Sequence, residues 1–224
     1  MSDKDQDFIA IGDIHGCAKT LEALLKKIAS YENRTFVFIG DYIDRGPDSK
    51  HAVDLLLDFS KDRDCVMLRG NHEQMMIDAH DRGDVQLWLL NGGEATLHSY
   101  DAPFNKLDLP SQHHHFYRNT KIYYDTPDYF FVHAGVPPDL TVEEAKNTED
   151  MEESFLWSRA HLDAYENVWE KKVVFGHTPK PEPLIKNKMI GIDTGCVYSH
   201  MGRYHKLTAV KLPEEEFIFQ ENLD

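Results

Sequence analysis

Short apolar runs alternate with amphipathic segments through the first third of the chain. Phe8–Ile11 and residues 35–39 and 66–68 are compact apolar runs of the length expected for buried strands. The apolar residues at helical spacing between these runs are Leu21, Leu24, Leu25 and Ile28, followed by Val53, Leu56 and Leu57. This strand–helix–strand rhythm predicts parallel strands joined by right-handed crossovers, and by itself it favours a doubly wound α/β sheet.

The middle of the chain is predicted to be mostly helical. Helical periodicity extends over residues 73–100, with breaks at Gly83 and at the pair Gly92 and Gly93. A loop is predicted over residues 103–110 and a short helix over residues 111–117. We expect this region to form a small, mostly helical cap over the mouth of a site.

The last third returns to strands. Residues 121–125 and 129–132 are separated by Thr-Pro-Asp, which predicts a hairpin-like turn. Further strands are expected over residues 173–175, 189–192 and 207–212, and the acidic tail 213–224 suits an edge strand. No repeat or linker divides the chain, and 224 residues suit one unit, so a single domain over residues 1–224 is expected.

The composition adds a strong negative charge to this picture. The chain has 39 Asp and Glu against 24 Lys and Arg, a net charge of −15, which repels nucleic-acid backbones and anionic membranes. Its three cysteines are odd in number and widely spaced, which argues against a disulfide framework or a cysteine zinc site. The amino-terminal segment is polar, and no apolar stretch approaches the ~18 residues of a membrane span. A cytoplasmic protein is therefore expected.

Five apolar runs end in residues that bind hard or borderline metal ions. Glycines lie beside these residues, and open α/β folds gather ligands at the carboxyl ends of their strands. A single Gly-Asp after a strand is usually a turn, but five such endings in one chain indicate a shared site. The side chains are Asp13, His15, Asp41, Asn71, His133 and His177.

The ligand types narrow the choice of metal. Carboxylate and amide oxygens mixed with imidazoles suit manganese, iron or zinc better than calcium. Six protein ligands are too many for one open catalytic ion. They suit two ions that share one carboxylate and lie ~3.5–4 Å apart, the arrangement that clamps a phosphoryl group and activates water. The sequence therefore predicts a two-metal centre.

These motifs resemble the phosphoprotein phosphatase branch of the calcineurin-like metallophosphoesterases. The pattern of that branch is GDxHG, GDxxDRG, GNHE, HxG and GHT, and all five motifs occur here in that order between Asp13 and Cys196. Residues 69–78 and 88–93 look especially like the phage lambda phosphatase and its bacterial relatives. The resemblance implies a layered α/β (α+β) fold with a central β-sandwich flanked by helices, in place of the doubly wound sheet.

The resemblance also implies how the six predicted ligands divide. One divalent ion would be held by Asp13, His15 and Asp41. The other would be held by Asp41, Asn71, His133 and His177. Manganese is the expected metal, with iron or zinc as alternatives, and a hydroxide that bridges the two ions would attack phosphorus in line.

An acid and two phosphate-binding residues are implied in the same way. His72 would protonate the leaving oxygen as general acid, oriented by Asp44. Arg45 and Arg159 would bind phosphate oxygens through their planar guanidinium groups, with a surface salt bridge as the alternative for Arg159. Arg69 is expected to support the structure.

The activity implied by the resemblance is hydrolysis of phosphate monoesters in proteins, and of small aryl phosphates as well. The sequence does not decide between phosphoserine or phosphothreonine and phosphotyrosine, and it leaves the oligomeric state open, with a monomer favoured. The alternative is a dinucleoside polyphosphate hydrolase, and because that related family has an alanine at the position of Asp44, this residue favours the phosphatase. A third hypothesis is an inactive binding protein, and the intact ligands and His72–Asp44 pair argue against it.

The roles of several other residues near the motifs are less certain from the sequence than those of the predicted ligands. Cys17 and Cys196 adjoin the motifs, and we expect both to be small buried residues. The sequence does not decide whether Tyr42 and Tyr198 face the substrate. The three consecutive histidines at residues 113–115 cannot all point the same way, so a solvated loop or cap is expected for them.

Overall fold

Two five-stranded sheets form the centre of the computed structural model, which describes residues 7–83, 85–103, 108–186 and 188–224. The strands of the first sheet are β1 (Phe8–Ile11), β2 (Thr35–Phe38), β3 (Cys65–Met67), β9 (Lys206–Leu212) and β10 (Glu216–Glu221). Their spatial order is β10-β9-β1-β2-β3. The neighbours β1, β2 and β3 are parallel, whereas β9 and β10 are added antiparallel.

The second sheet repeats this plan with a parallel centre. Its strands are β4 (Tyr123–Asp125), β5 (Tyr129–Val132), β6 (Lys172–Phe175), β7 (Leu184–Lys186) and β8 (Met189–Gly191). The spatial order is β4-β5-β6-β8-β7. Strands β5, β6 and β8 are parallel, and the edge strands β4 and β7 are antiparallel to their neighbours.

Helices connect the strands and cover the outer faces of the sheets. Those that precede β4 are α1 (Ala18–Ile28), α2 (Ser49–Phe59), α3 (Asn71–Arg82), α4 (Gln86–Trp88), a π-helical turn (Leu89–Gly93), α5 (Glu94–Ser99) and α6 (Ser111–Arg118). The later ones are α7 (Val142–Lys146), α8 (Met151–Trp157), α9 (Ala160–Asp163) and a 3-10 helix (Cys196–Met201). No helix within the described ranges is both long enough and apolar enough to cross a membrane.

The first sheet is buried on both faces, as β1 illustrates. Ile9 and Ile11 pack with the helices of the first half of the chain. Phe8 and Ala10 point the other way and pack with residues of the second sheet, such as Phe131. The layers are therefore helices, sheet, sheet and helices, which confirms the family fold. The doubly wound sheet is wrong, because a strand with two buried faces reads as a continuous apolar run in either architecture.

Most predicted elements are confirmed within a residue or two at their ends. The break at Gly92 is a residue with φ of 102°, and Gly83 ends α3 in the left-handed conformation with φ of 75°. The described part of the predicted loop over residues 103–110 has no regular structure, and residues 104–107 lie outside the described ranges. Short elements such as β7 and α7 were not predicted, because three to five residues give too little periodicity to recognise.

Candidate active site

The carboxyl ends of three parallel strands from each sheet converge on one place. In the first sheet, Asp13, Asp41 and Asn71 follow β1, β2 and β3. In the second sheet, His133, His177 and Asp193 follow β5, β6 and β8. All six side chains are buried, and so is His15. The predicted ligands thus come together at the seam between the two sheets.

Hydrogen bonds across the seam hold the two sets of strand ends together. The backbone N–H of His177 donates to Asp13 Oδ2 at 2.9 Å, and His133 Nδ1 donates to the carbonyl of Ile39 at 3.0 Å. Gly176 makes the close approach possible, because a Cβ at that position would lie 2.0 Å from Asp13 Oδ1. The site therefore depends on both sheets being present.

The first group of ligand atoms surrounds one oxygen of Asp41. His15 Nδ1 donates to the carbonyl of Ile43 at 2.8 Å, so its Nε2 carries the lone pair, which accepts from Arg45 Nη1 at 2.8 Å and lies 3.5 Å from Asp41 Oδ2. Asp13 Oδ1 is buried and has no hydrogen-bond partner within the described chain. His72 Nε2 also lies near, 4.0 Å from Asp41 Oδ2. A buried carboxylate oxygen without a partner fits a cation, and His15, Asp41 and His72 offer ligand atoms within 4.8 Å of one another.

The second group surrounds the other oxygen of Asp41. His133 Nε2 lies 3.4 Å from Asp41 Oδ1 and 3.0 Å from Asn71 Oδ1. His177 Nδ1 lies 3.0 Å from the same Asn71 oxygen and 3.2 Å from His133 Nε2. Ligand atoms held ~2.0–2.2 Å from one divalent ion are separated by roughly 3.0–3.5 Å. These four residues can therefore hold an ion, and Asp41 can be shared with the first group.

The electrostatics of the seam also favour bound cations. Burial, together with the charge of Asp193, raises the pKa of Asp13 well above its usual range. Burial alone would lower the pKa of His133, but the Asp41 carboxylate raises it to about 9. Buried carboxylates that repel one another attract positive charge, and a divalent ion supplies more of it than a proton does.

The predicted acid His72 and its partner Asp44 form a buried pair. His72 Nδ1 lies 2.7 Å from Asp44 Oδ2. Burial raises the pKa of Asp44 to about 8 and lowers that of His72 to about 4, so the pair keeps one dissociable proton between them at neutral pH. Asp44 also accepts hydrogen bonds from the Trp88 indole and the Thr96 hydroxyl. These donors favour the ionised carboxylate and so oppose the effect of burial on Asp44.

Three supporting residues were missed by the sequence analysis. Trp88 and Thr96, which fix Asp44, come from helices far along the chain; the segment 88–93 was noted for its resemblance, but nothing in the sequence connected either residue with Asp44. Glu73 is fully buried, and its carboxylate accepts backbone hydrogen bonds from Asp41, Tyr42 and Gly70 at 2.8–2.9 Å. Its place directly after Asn71 and His72 in the same motif could have identified it.

The two predicted phosphate-binding arginines lie on opposite sides of the metal-ligand cluster. Arg45 Nη1 lies 2.8 Å from His15 Nε2, on the side of the first sheet. Arg159 Nε donates to the Thr178 hydroxyl at 3.1 Å, beside His177 on the side of the second sheet. Both arginines are exposed, and among the described residues Arg159 has no carboxylate within ion-pair distance. Asp44 and Arg45 are both left-handed, with φ of 72° and 69°.

Tyr42 and Tyr198, whose roles the sequence left undecided, lie in different surroundings, and Arg69 can be assigned as well. Tyr42 is fully buried and its hydroxyl donates to the carbonyl of Leu68 at 2.6 Å, so it does not face a substrate. Tyr198 lies beside Arg45, whose Cζ is 5.7 Å from the centre of the ring. Arg69 donates to Thr120 and to neighbouring carbonyls, as expected of a structural residue.

The structure also tests the expectations for the two cysteines beside the motifs and for the three consecutive histidines. Cys17 and Cys196 are buried, as expected. His113 is buried against Tyr100 and Asp54 rather than solvated, since α6 turns it inwards while His114 and His115 remain exposed.

Comparisons with known proteins place this site in a family. The sequence profile of the calcineurin-like phosphoesterases matches residues 7–215. The asymmetrical bis(5'-nucleosyl)-tetraphosphatase PrpE of Oceanobacillus iheyensis is 31% identical, over 93% of this chain and 89% of that protein. Serine/threonine-protein phosphatase 1 of Salmonella typhimurium is 31% identical, over 84% of this chain and 86% of that protein. A solved structure provisionally named a diadenosine tetraphosphatase shares the fold, with a TM-score of 0.69 at 22% identity over 100% of this chain and 97% of that chain.

These relatives correct the expected substrate. The expectation of a phosphoprotein phosphatase, with phosphorylated proteins and aryl phosphates as partners, is wrong, because the relatives that match 93% of the chain are named as tetraphosphatases. Asp44 was the residue on which the expected substrate depended. It is fully buried behind His72, so it orients the acid and is not placed to select the substrate. The coarser expectation of a hydrolase with a divalent metal site is confirmed, and the chain belongs to the calcineurin-like phosphoesterase family.

Proposed function

We propose that the chain hydrolyses dinucleoside tetraphosphates asymmetrically, to a nucleoside monophosphate and a nucleoside triphosphate. The observation that supports this most directly is the likeness to the asymmetrical tetraphosphatase of Oceanobacillus iheyensis along 93% of the chain. The alternative that the sequence left in second place thus becomes the main hypothesis. Residues 1–224 would act as one catalytic domain.

The buried ligands are assigned to two divalent ions, with manganese as the first metal to test. One ion would be held by Asp13, His15 and Asp41, and the other by Asp41, Asn71, His133 and His177. Together the ions would supply Lewis acids for the phosphoryl oxygens and an attacking nucleophile from water at neutral pH. The protein's own part is to hold the ligands rigidly at the seam between the sheets.

His72 would donate a proton to the departing phosphate oxygen from Nε2. Asp44 holds the opposite ring nitrogen at 2.7 Å, which fixes the orientation of the imidazole and stabilises its protonated form. The conjugate acid of a phosphate leaving group is more acidic than the serine alcohol released from a phosphoserine. The departing phosphate oxygen therefore needs less protonation. The contribution of His72 should therefore lie near the lower end of the usual ~10²–10⁴-fold range.

Arg45 and Arg159 would neutralise the remaining charge of the tetraphosphate. A protein with a net charge of −15 repels a polyanion at long range, so local cations must reverse the field near the site. Each guanidinium offers two parallel donors to phosphate oxygens. Their positions on opposite sides of the cluster suit a substrate that extends across it.

Product analysis with diadenosine tetraphosphate tests the proposal. With manganese present, we expect AMP and ATP in equal amounts, separated by anion-exchange chromatography. Two molecules of ADP would mean symmetrical cleavage, and no turnover with manganese, iron or zinc would contradict the proposal. In water labelled with ¹⁸O, the label will appear in AMP if the α-phosphorus is attacked, and in ATP if the β-phosphorus is attacked.

A further inference from the structure

An aromatic ring beside the phosphate-binding side chain has no part in the chemistry above. Tyr198 is half-buried on the 3-10 helix that follows the second sheet, and Arg45 Cζ lies 5.7 Å from the centre of its ring. Tyr198 therefore stands at the rim of the site, one guanidinium away from the metal ligands.

Arg45 lies between the metal ligands and this ring, so its distances to both show how far apart they are. One end of its guanidinium lies 2.8 Å from His15 Nε2, while its Cζ lies 5.7 Å from the ring of Tyr198. In a nucleoside 5'-phosphate, one ribose separates the phosphorus from the base. A phosphoryl group held by Arg45 at the ligand cluster would thus bring its own base towards Tyr198.

The ring is mounted on a well-fixed segment. The backbone N–H of Tyr198 donates to the carbonyl of Gly195 at 2.9 Å, and Thr194 Oγ1 donates to the carbonyl of Lys206 at 2.7 Å. Gly195 is left-handed with φ of 69°, and a Cβ there would lie 2.7 Å from the Cβ of Tyr204. These contacts hold the backbone that carries the ring, which lowers the entropic cost of stacking on it.

We propose that the face of Tyr198 is the platform on which the nucleobase next to the cleaved phosphoryl group stacks. This subsite rests on the proposed function, because it needs a substrate in which a base follows the phosphate. A nucleobase is uncharged at neutral pH, so the acidic surface does not repel it. Stacking on an aromatic ring also tolerates different bases, since each has a π-face.

The other side of Arg45 offers a contrasting surface. Arg45 N–H donates to the carbonyl of Gly92 at 3.1 Å, and the nearby Leu90 is 86% exposed. A leucine has no π-face, so it can contact a base but cannot stack with it. The geometry therefore points to the Tyr198 side for the base.

Ligand pairs that differ only in the base test this subsite in the metal-loaded enzyme. AMP and ribose 5-phosphate are compared as ligands by calorimetry, and diadenosine tetraphosphate and its abasic analogue, P1,P4-bis(5-ribosyl) tetraphosphate, are compared as substrates. The variants are Tyr198→Ala and Tyr198→Phe. The matched control is Tyr31→Ala, because Tyr31 is also half-buried beside an arginine, with Arg34 Cζ 6.0 Å from its ring, and precedes the amino end of β2.

In Tyr198→Ala, the preference for AMP over ribose 5-phosphate should fall by roughly five- to 150-fold, the usual worth of one base–aromatic stack. The kcat/KM ratio of the two tetraphosphates should fall in parallel. Tyr198→Phe and Tyr31→Ala should keep the preference. An unchanged preference in Tyr198→Ala overturns the subsite, and so does an equal loss for both ligands, which would mean that Tyr198 acts through Arg45.

The two proposals fail in different ways. A wild-type enzyme that prefers AMP through Tyr198 but does not cleave diadenosine tetraphosphate retains the subsite and loses the proposed function. An enzyme that cleaves the tetraphosphate equally well with Tyr198→Ala retains the function and loses the subsite.

Discussion

The site has an inner half and an outer half that differ in almost every physical property. The inner half consists of the strand-end ligands with His72 and Asp44, all of them buried and cross-linked by hydrogen bonds between the two sheets. The outer half consists of Arg45, Arg159 and Tyr198, which are exposed or half-buried. In the proposed function, the inner half would hold the metal ions and move a proton, and the outer half would meet the rest of the substrate.

This difference agrees with the similarity of the chain to relatives that are named for different substrates. A tetraphosphatase and a protein phosphatase both match the chain at 31% identity. Attack on phosphorus needs the same buried ligands whichever group leaves. In the proposed function, surface side chains would recognise the part of the substrate beyond the phosphate, and these lie outside the motifs or at their edges.

The largest effect should come from breaking the inner half at its shared ligand. Asp41→Asn removes the one charge that both metal groups use, so several kcal/mol of charge stabilisation are lost and turnover should fall about a thousandfold or more. Metal analysis should show fewer than two ions per chain. The exposed Asp62→Asn variant serves as control, and full turnover with two ions retained in Asp41→Asn would contradict the shared-ligand assignment.

Removing the acid should have the next largest effect. His72→Asn should keep the metal content of the wild type and lower kcat by about a hundredfold, because the leaving group is a phosphate. The loss should grow for a substrate with a less acidic leaving group. If the loss were the same for all leaving groups, His72 would not be the acid. The exposed His51→Asn is the control for the substitution itself.

The outer half should respond more weakly and without loss of metal. Arg45→Ala and Arg159→Ala each remove one charge-assisted contact, so kcat/KM should fall roughly ten- to a hundredfold and inhibition by inorganic phosphate should weaken. Arg→Lys should recover part of the loss, since an ammonium group lacks the planar fork. The exposed Arg82→Ala is the control, and unchanged phosphate inhibition in Arg159→Ala would leave that residue a surface role.

The smallest effect concerns the folding stability, through the buried His161. Burial lowers the pKa of His161 to about 4 from its ordinary 6.5, because the ring packs on Phe175 and Trp169. In the unfolded chain His161 takes up a proton below pH ~6.5, whereas in the folded chain it does not. Its contribution to the free energy of unfolding is therefore fully present above this pH and is lost as the pH falls towards 4.

His161→Leu should remove this dependence. Between pH 7.5 and 5.5 the wild type should lose about 1.3 kcal/mol more unfolding free energy than the variant does, as measured by urea denaturation at both pH values. Equal losses would place the His161 ring in contact with water in the folded protein.

The residues of the inner half could be selected from the sequence because they follow apolar runs that can be recognised one at a time, and the structure brings them together. The sequence could not predict Trp88 and Thr96, since their contact with Asp44 joins segments 44 and 52 positions apart. Nor could it choose between one doubly wound sheet and two packed sheets, because Phe8 and Ile9 are buried in either case. The substrate was missed because Asp44 was interpreted as a discriminating residue although it is sealed behind His72.

The left-handed backbone at Asp44 and Arg45 has a consequence for laboratory evolution. Side chains other than glycine pay about 1–2 kcal/mol in this conformation, so Arg45→Gly should stabilise the folded chain by up to about 1 kcal/mol after the extra flexibility of glycine is counted. A library selected for heat resistance alone would therefore enrich a variant that has lost a guanidinium from its phosphate site. Thermal screens of this protein need a parallel selection for turnover. Without it, they will select variants with higher thermal stability and lower activity.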